Sequence, residues 1–209
     1  MIKELLREYV FQVITERIRT AKVGKETFNL EKFKKIQDYR EMVFYATDFL
    51  QYLGEGSSRI AFVYKSTQVI KIAKNEKGIA QNATEVEISQ DEGTKNVVAK
   101  IFYADPQNRF VISELVRPLK SGEDIRRLEQ QAGVTFGDFV RTIRSVENSP
   151  DKIDDIKNPW IKSVAWIVIS HDLISSDALA EEHWGITPEG RIVLLDYGFT
   201  EDVFQKHYK

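Results

Sequence analysis

Chemistry-bearing residues in this sequence collect in two places, a glycine, lysine and glutamate series between residues 53 and 88 and an aspartate at residue 196. Leu53-Gly54-Glu55-Gly56-Ser57-Ser58-Arg59 falls where one expected strand turns back into the next. Glycines at 54 and 56 let backbone N–H groups approach a ligand without interference from Cβ, and phosphate is the guest that such a loop suits. Gly54, Gly56, Ser57 and Ser58 are then its contact residues, although glycines also serve plain hairpin turns. Fifteen residues beyond Gly56, Lys71 interrupts the apolar run Val69-Ile70-Lys71-Ile72, and a period of two puts it on the face opposite Ile70 and Ile72. There it is either a cation facing a ligand or the charge that protects an edge strand from pairing. Glu85 and Ile88 share one face of the next expected helix, which points the carboxylate inward; a solvated charge is the alternative, and Glu87 is the other candidate partner for Lys71. Ile192-Val193-Leu194-Leu195 then runs into Asp196-Tyr197-Gly198. A carboxylate at the end of a buried strand is costly unless it meets a cation or several donors, so Asp196 is a binding group or a turn cap.

Hydrophobic spacing predicts the elements that must position these residues. Ile2 to Ile18 and residues 29 to 50 read as amphipathic packing helices. The period then changes, and three strands are expected from Tyr52 to Asn75, a helix over 78–90, and strands over 97–104 and 109–116 joined by Asp105-Pro106-Gln107-Asn108. Helical segments follow near 122–132, 135–147 and 159–174. A hairpin of Trp184-Gly185-Ile186 and Ile192 to Leu195, turning at Thr187-Pro188-Glu189-Gly190, closes the pattern.

The order of glycine-rich hairpin, strand lysine, helix glutamate, apolar strand with Glu114 at its exit, and strand-Asp-x-Gly resembles the protein-kinase-like fold over about residues 52 to 200. That resemblance implies an α+β, truncated, two-lobed architecture: an antiparallel β small lobe (52–118), a helical lobe with a metal-motif hairpin (119–209), and an N-terminal helical extension (1–51). It implies ATP as cofactor with Mg2+ or Mn2+, Gly54 and Gly56 over the phosphates, Lys71 holding them, and Glu85 orienting Lys71. Residues 112–116, Glu114 among them, match the strand that holds adenine, and Asp196-Tyr197-Gly198 the metal motif. Ala178-Leu179-Ala180-Glu181-Glu182-His183-Trp184-Gly185 echoes the catalytic loop of small bacterial and phage kinase-like proteins. If His183 takes the metal-binding asparagine position, the base position falls on Ala178, so Asp177, one residue off, is the candidate base, with Glu181 and Glu182 as alternatives. His183 brings nitrogen where Mg2+ prefers oxygen, and a structural histidine beside Trp184 is the other reading. Arg59 stands where a third loop glycine would fall, either to clamp a phosphate or to face solvent. Only eleven residues follow Gly198, which leaves no peptide platform and assigns any acceptor site to the flanking helices, the arginines at 126, 127, 141 and 144, or the tail.

Composition narrows the classes further. The chain has 209 residues, 42% hydrophobic, with 30 Lys plus Arg against 32 Asp plus Glu and no cysteine. Thiolate chemistry, disulfides and Cys-based metal sites are excluded. A formal charge of −2 gives no nucleic-acid signal, and no apolar stretch reaches a membrane span. The expectation is a cytoplasmic ATP-binding, divalent-metal-dependent phosphotransferase, or a nucleotidyltransferase should ATP bind reversed, in the host cytoplasm if phage-encoded, acting on an unknown protein or small-molecule acceptor, with oligomers open. The rivals are a pseudokinase binding module and a structural component of a larger assembly.

Overall fold

The computed structural model describes residues 27–209, so the helix expected over 2–18 lies outside the described residues. The helix expected over 29–50 is two helices, α1 (Leu30–Lys34) and α2 (Tyr39–Phe49). Asn29 caps the first by accepting from the Lys32 amide, and Asp38 starts the second by accepting from the Arg40 and Glu41 amides. Between them, Arg109 donates to the Lys34 and Ile36 carbonyls at 3.3 and 2.7 Å while its guanidinium pairs with Asp105. A cation placed on the free carbonyls of a helix end holds the break in place. That contact spans more than seventy residues, beyond the reach of local periodicity.

Strands β1 (Gln51–Glu55), β2 (Arg59–Lys65) and β3 (Gln68–Ala73) lead into α3 (Glu76–Gln90), followed by β4 (Ile101–Ala104) and β5 (Phe110–Glu114). They form a five-stranded sheet of order β1-β2-β3-β5-β4, antiparallel at every pairing. Alternation assigns its two faces different tasks. Ile60, Phe62, Ile70, Ile72, Phe110 and Ile112 point to one face and pack with Phe33, Met42 and Ala46 of α1 and α2. Lys71, paired between Ala61 and Val111, consequently turns to the other face, where α3 packs. With both faces covered, Lys71 lies in the central strand of the sheet.

The first half of the strand expected over 97–104 departs from that sheet. Ala99 N–H donates to the Leu194 carbonyl and Leu194 N–H to the Val97 carbonyl, at 3.0 and 2.8 Å, a short parallel bridge that ties this segment to the second lobe. There, β6 (Arg117–Pro118), β7 (Trp184–Ile186) and β8 (Ile192–Leu194) form a small antiparallel sheet. It packs with α4 (Gly122–Ala132), α5 (Phe136–Glu147) and α6 (Pro159–Ser170) around a core in which the rings of Phe139, Trp160 and Trp184 meet tilted or edge-to-face, with centroids 5.3 to 5.7 Å apart. The helix expected to reach residue 174 stops at Ser170, because Asp172 takes a left-handed backbone with φ of 48°. Two elements not expected from periodicity complete the lobe, α7 (Ser175–Ala178) and α8 (Glu201–His207), the latter packed on α3. No helix among the described residues is long and apolar enough to cross a membrane.

Candidate functional site

β3 carries Lys71 and α3 carries Glu85 to a single point at the seam between the lobes. Lys71 Nζ lies 2.9 and 3.0 Å from the two oxygens of Glu85, which is fully buried, and donates at 2.8 Å to the Leu195 carbonyl. Glu87, the other candidate partner, is exposed. The face chosen by Ile88 decides between the two, since Ile88 is fully buried one turn beyond Glu85.

Arg59 does not face solvent, one of its two expected placements. At the start of β2 its guanidinium neither faces solvent nor stands free; Nη1 lies 2.8 Å from Glu85 Oε1 and Nη2 lies 2.5 Å from Asp196 Oδ1. Nη1 also donates to Asn82 Oδ1 at 3.3 Å, and Asn82 is fully buried with its amide on the Asn108 carbonyl. Two cations and two carboxylates thus form one chain, Lys71, Glu85, Arg59 and Asp196. Burial works against charge on Asp196, but Arg59 and then Lys71 and His183 outweigh it and hold the carboxyl at about 2. Burial likewise opposes the charge on Arg59, and Asp196 and Glu85 more than offset it, so the guanidinium is held firmly protonated.

The glycine loop roofs this network. Neither Gly54 nor Gly56 has a positive φ, and a Cβ built on either would meet nothing within 4 Å. The Cβ side of both positions is therefore open, and β1 shifts register between Tyr52 and Gly54. Ser58 is buried, its hydroxyl donating to Gln81 Oε1 at 2.5 Å, and the Ser57 carbonyl accepts from Asn75 Nδ2 at 3.2 Å, so the turn is braced against α3. By contrast, a Cβ on Gly198 would lie 2.5 Å from the Gln81 carbonyl oxygen, so Gly198 is required for the loop after β8 to approach α3.

Two cavities open here. The first, of about 320 Å³, is lined by Gly54, Gly56, Lys71, Glu114, Val116 and Asp196 among others. Its lining brings together the loop, the strand lysine, the inter-lobe segment and the aspartate. Glu114 itself turns its carboxylate away to Arg191, at 2.8 and 2.7 Å, and to the Lys100 amide. The second cavity, of about 270 Å³, shares Gly56, Arg59 and Asp196 and adds Ser57, Ser58, Asp177, His183, Phe199 and Tyr208.

Within the segment expected to act as a catalytic loop, Ala178 is buried while Asp177 lines the second cavity beside Asp196. Glu181 and Glu182 are exposed and line neither cavity. His183 Nδ1 stands 2.8 Å from the Asp177 carbonyl oxygen and 3.3 Å from its carboxylate. The hydrogen bond to Asp177 pushes the imidazole up to about 9 against the opposing effect of burial, with the Asp177 and Asp196 charges adding to it. Asp177 thus favours the charged imidazole and fixes the ring through Nδ1. The helix arginines lie away from both cavities: Arg127 pairs with Glu123 and Arg141 with Asp138 at the exposed surface.

Side chains alone do not build a divalent-metal cage at this site. Among the described residues no group of three His, Cys, Asp or Glu is placed to hold one. One oxygen of Asp196 is taken by Arg59, and Mg2+ asks for octahedral oxygen coordination.

Because the His183 pKa is raised on folding, its stabilisation is complete below the ordinary histidine value of about 6.5 and is lost as pH rises through about 9. Urea unfolding at pH 6 and pH 9.5 is expected to differ through this group by up to about 3 kcal/mol. The His183→Asn variant flattens that dependence.

An antiparallel five-stranded sheet carries a lysine paired to a helix glutamate, and a helical lobe returns a strand-end aspartate to the same seam. This arrangement is consistent with a truncated protein-kinase-like fold. No protein family profile matches the chain, and no curated protein matches it. Among solved structures it is similar to APH(2")-IIia in its GDP and kanamycin complex, at 17% identity and TM-score 0.39, over 71% of this chain and 66% of that one. It is similar also to APH(2")-IIa in a streptomycin and ATP complex, at 12% identity and TM-score 0.36. A third is the ADP-bound aminoglycoside phosphotransferase APH(2'')-Ib, at 14% identity and TM-score 0.39. Each of the latter two matches covers 71% of this chain and 65% of the other, so the chain spans about two thirds of the length of these structures.

Proposed function

We propose that the first cavity of this kinase-like chain binds ATP and that its terminal phosphoryl group is passed to a hydroxyl entering through the second. The observation that carries this reading is Lys71, held at 2.9 Å by buried Glu85 and lining a cavity that Gly54 and Gly56 also line with no atom within 4 Å of their Cβ positions. A buried ion pair is poor evidence for stability alone, since apolar residues of similar volume stabilise as well or better. A phosphate beside Lys71 gives the lysine a purpose that packing does not.

In this reading the adenine lies between Val69 and Ala61 of the sheet and the Leu115-Val116 segment, all of which line the first cavity. Lys71 and Arg59 take up charge on the phosphates. The acceptor oxygen approaches the γ-phosphorus from the second cavity, where the Asp177 carboxylate takes its proton. The new O–P bond forms, the bond to the β-phosphate oxygen breaks, and ADP leaves with that electron pair. His183 holds Asp177 in orientation through the contacts at 2.8 and 3.3 Å. Catalysis then rests on positioning and charge neutralisation. The acceptor is a small molecule fitting about 270 Å³ with an aromatic wall of Phe199 and Tyr208.

The test follows label from α- and γ-labelled ATP into ADP, inorganic phosphate and added polyhydroxylated acceptors. Release or transfer from γ alone, reduced about 10²- to 10⁴-fold in Asp177→Asn, is the expected result. Absence of turnover together with absence of ATP-induced thermal stabilisation contradicts it. A second reading, a binding module without turnover, is favoured by one observation, the Arg59 contact that engages Asp196. ATP-induced stabilisation without any turnover is its signature.

A further inference from the structure

Resting on the proposal that the cleft takes a nucleoside triphosphate, we infer that this chain binds it as a metal-free polyanion, with Arg59 and Lys71 standing where a divalent cation would bridge protein and phosphate. The argument begins with Asp196. It is the one acidic side chain lining both cavities, and its Oδ1 lies 2.5 Å from Arg59 Nη2. A divalent ion on that carboxylate would face the guanidinium at close range, and the two positive charges repel. The other acidic side chain of the second cavity, Asp177, is turned to His183 at 3.3 Å, and His183 Nδ1 is committed to the Asp177 backbone oxygen. Among the described residues no third acidic, histidine or cysteine side chain joins them to complete a metal-binding group.

What the site holds instead is a pair of fixed cations. Arg59 is nearly buried, with its side chain 9% exposed, and it borders both cavities directly below the Gly54–Gly56 turn. Its anchorage is one-sided: Nη1 is held by buried Glu85 and Asn82, whereas Nη2 meets the half-exposed Asp196. A phosphate oxygen can replace Asp196 at Nη2 while Nη1 keeps its anchors, so the guanidinium is pre-organised and pays little side-chain entropy on binding. Lys71 supplies the second cation from the neighbouring strand on the same face of the sheet, held through the same Glu85 carboxylate. Guanidinium and ammonium donors of this kind make strong, charge-assisted bonds to phosphate. Mg2+ on the nucleotide would cancel part of the charge these groups recognise.

The experiment is isothermal titration of the full chain with ATP, once in excess EDTA and once in millimolar Mg2+, with folding of each variant verified by circular dichroism. ATP is expected to bind at least as tightly in EDTA as in Mg2+. Arg59→Gln is expected to weaken the EDTA affinity by roughly tenfold or more. Because that variant disturbs a buried network, Asp196→Asn provides the second arm: it releases Nη2 from its competitor and is expected to tighten metal-free binding several-fold. ATP binding that requires Mg2+ and is lost in Asp196→Asn overturns the metal-free inference while leaving the nucleotide site intact. Absence of ATP binding in both buffers overturns the nucleotide reading, and this inference falls with it.

Discussion

Replacing Glu85 with alanine is expected to destabilise the protein by about 3–5 kcal/mol, the cost of leaving buried charge without its partner. Glu85 is fully buried and meets two cations, Lys71 at 2.9 Å and Arg59 at 2.8 Å. Removing it leaves an ammonium and a guanidinium facing each other with one remaining carboxylate, the half-exposed Asp196, on the Arg59 side. Glu85→Gln retains an acceptor oxygen and fills the same volume, so it is expected to lose less. Urea unfolding followed by circular dichroism distinguishes the two, with the midpoint moving and the denaturant slope unchanged if the denatured state is unaffected. A Glu85→Ala midpoint within error of the parent protein would contradict the network described here.

Lys71→Met separates ligand binding from folding. Methionine fills much of the volume of the lysine stem and removes the charge, while Glu85 keeps Arg59 as its counter-ion. Stability is therefore expected to change little compared with Glu85→Ala. Phosphoryl transfer is expected to fall by about 10²- to 10³-fold, as it does when a pre-organised charge that meets the transferring group is removed. Transfer rates and urea midpoints measured on the same preparation test both halves. A variant that retains transfer would show that Lys71 serves the fold alone.

The lysine, glutamate and aspartate could be read from sequence because each rule involved is local. Period two placed Lys71 opposite Ile70 and Ile72, and one helical turn placed Glu85 over Ile88; the alternation matched the buried faces of both elements. Asp196 followed from its place at the end of an apolar strand. Arg59 could not be placed in the same way, because its partners lie 26 and 137 residues away, Glu85 on the helix packed over the sheet and Asp196 in the other lobe. A signal for it existed, an arginine immediately after Gly54-x-Gly56-Ser57-Ser58, but spacing alone leaves its direction open. The break between α1 and α2 has a comparable origin, since Arg109 reaches those carbonyls across the sheet. Asp177 was reachable as a residue one position out of register, and it was the placement of Ala178 in the core that turned its neighbour to the cavity. For His183 the spacing left a metal ligand and a structural histidine open, and its Nδ1 contacts to Asp177, six residues back, follow from the turn of the loop, which periodicity does not describe.

The most direct test of the account is covalent labelling with an acyl-phosphate derivative of ATP, which transfers its acyl group to a lysine amine lying against the bound phosphates. The modified residue is then located by peptide mass spectrometry. The account predicts acylation concentrated on Lys71, suppressed by excess ATP and absent in Lys71→Met. Label scattered over surface lysines and insensitive to ATP, with Lys71 unmodified, would contradict a nucleotide site between the glycine loop and Asp196.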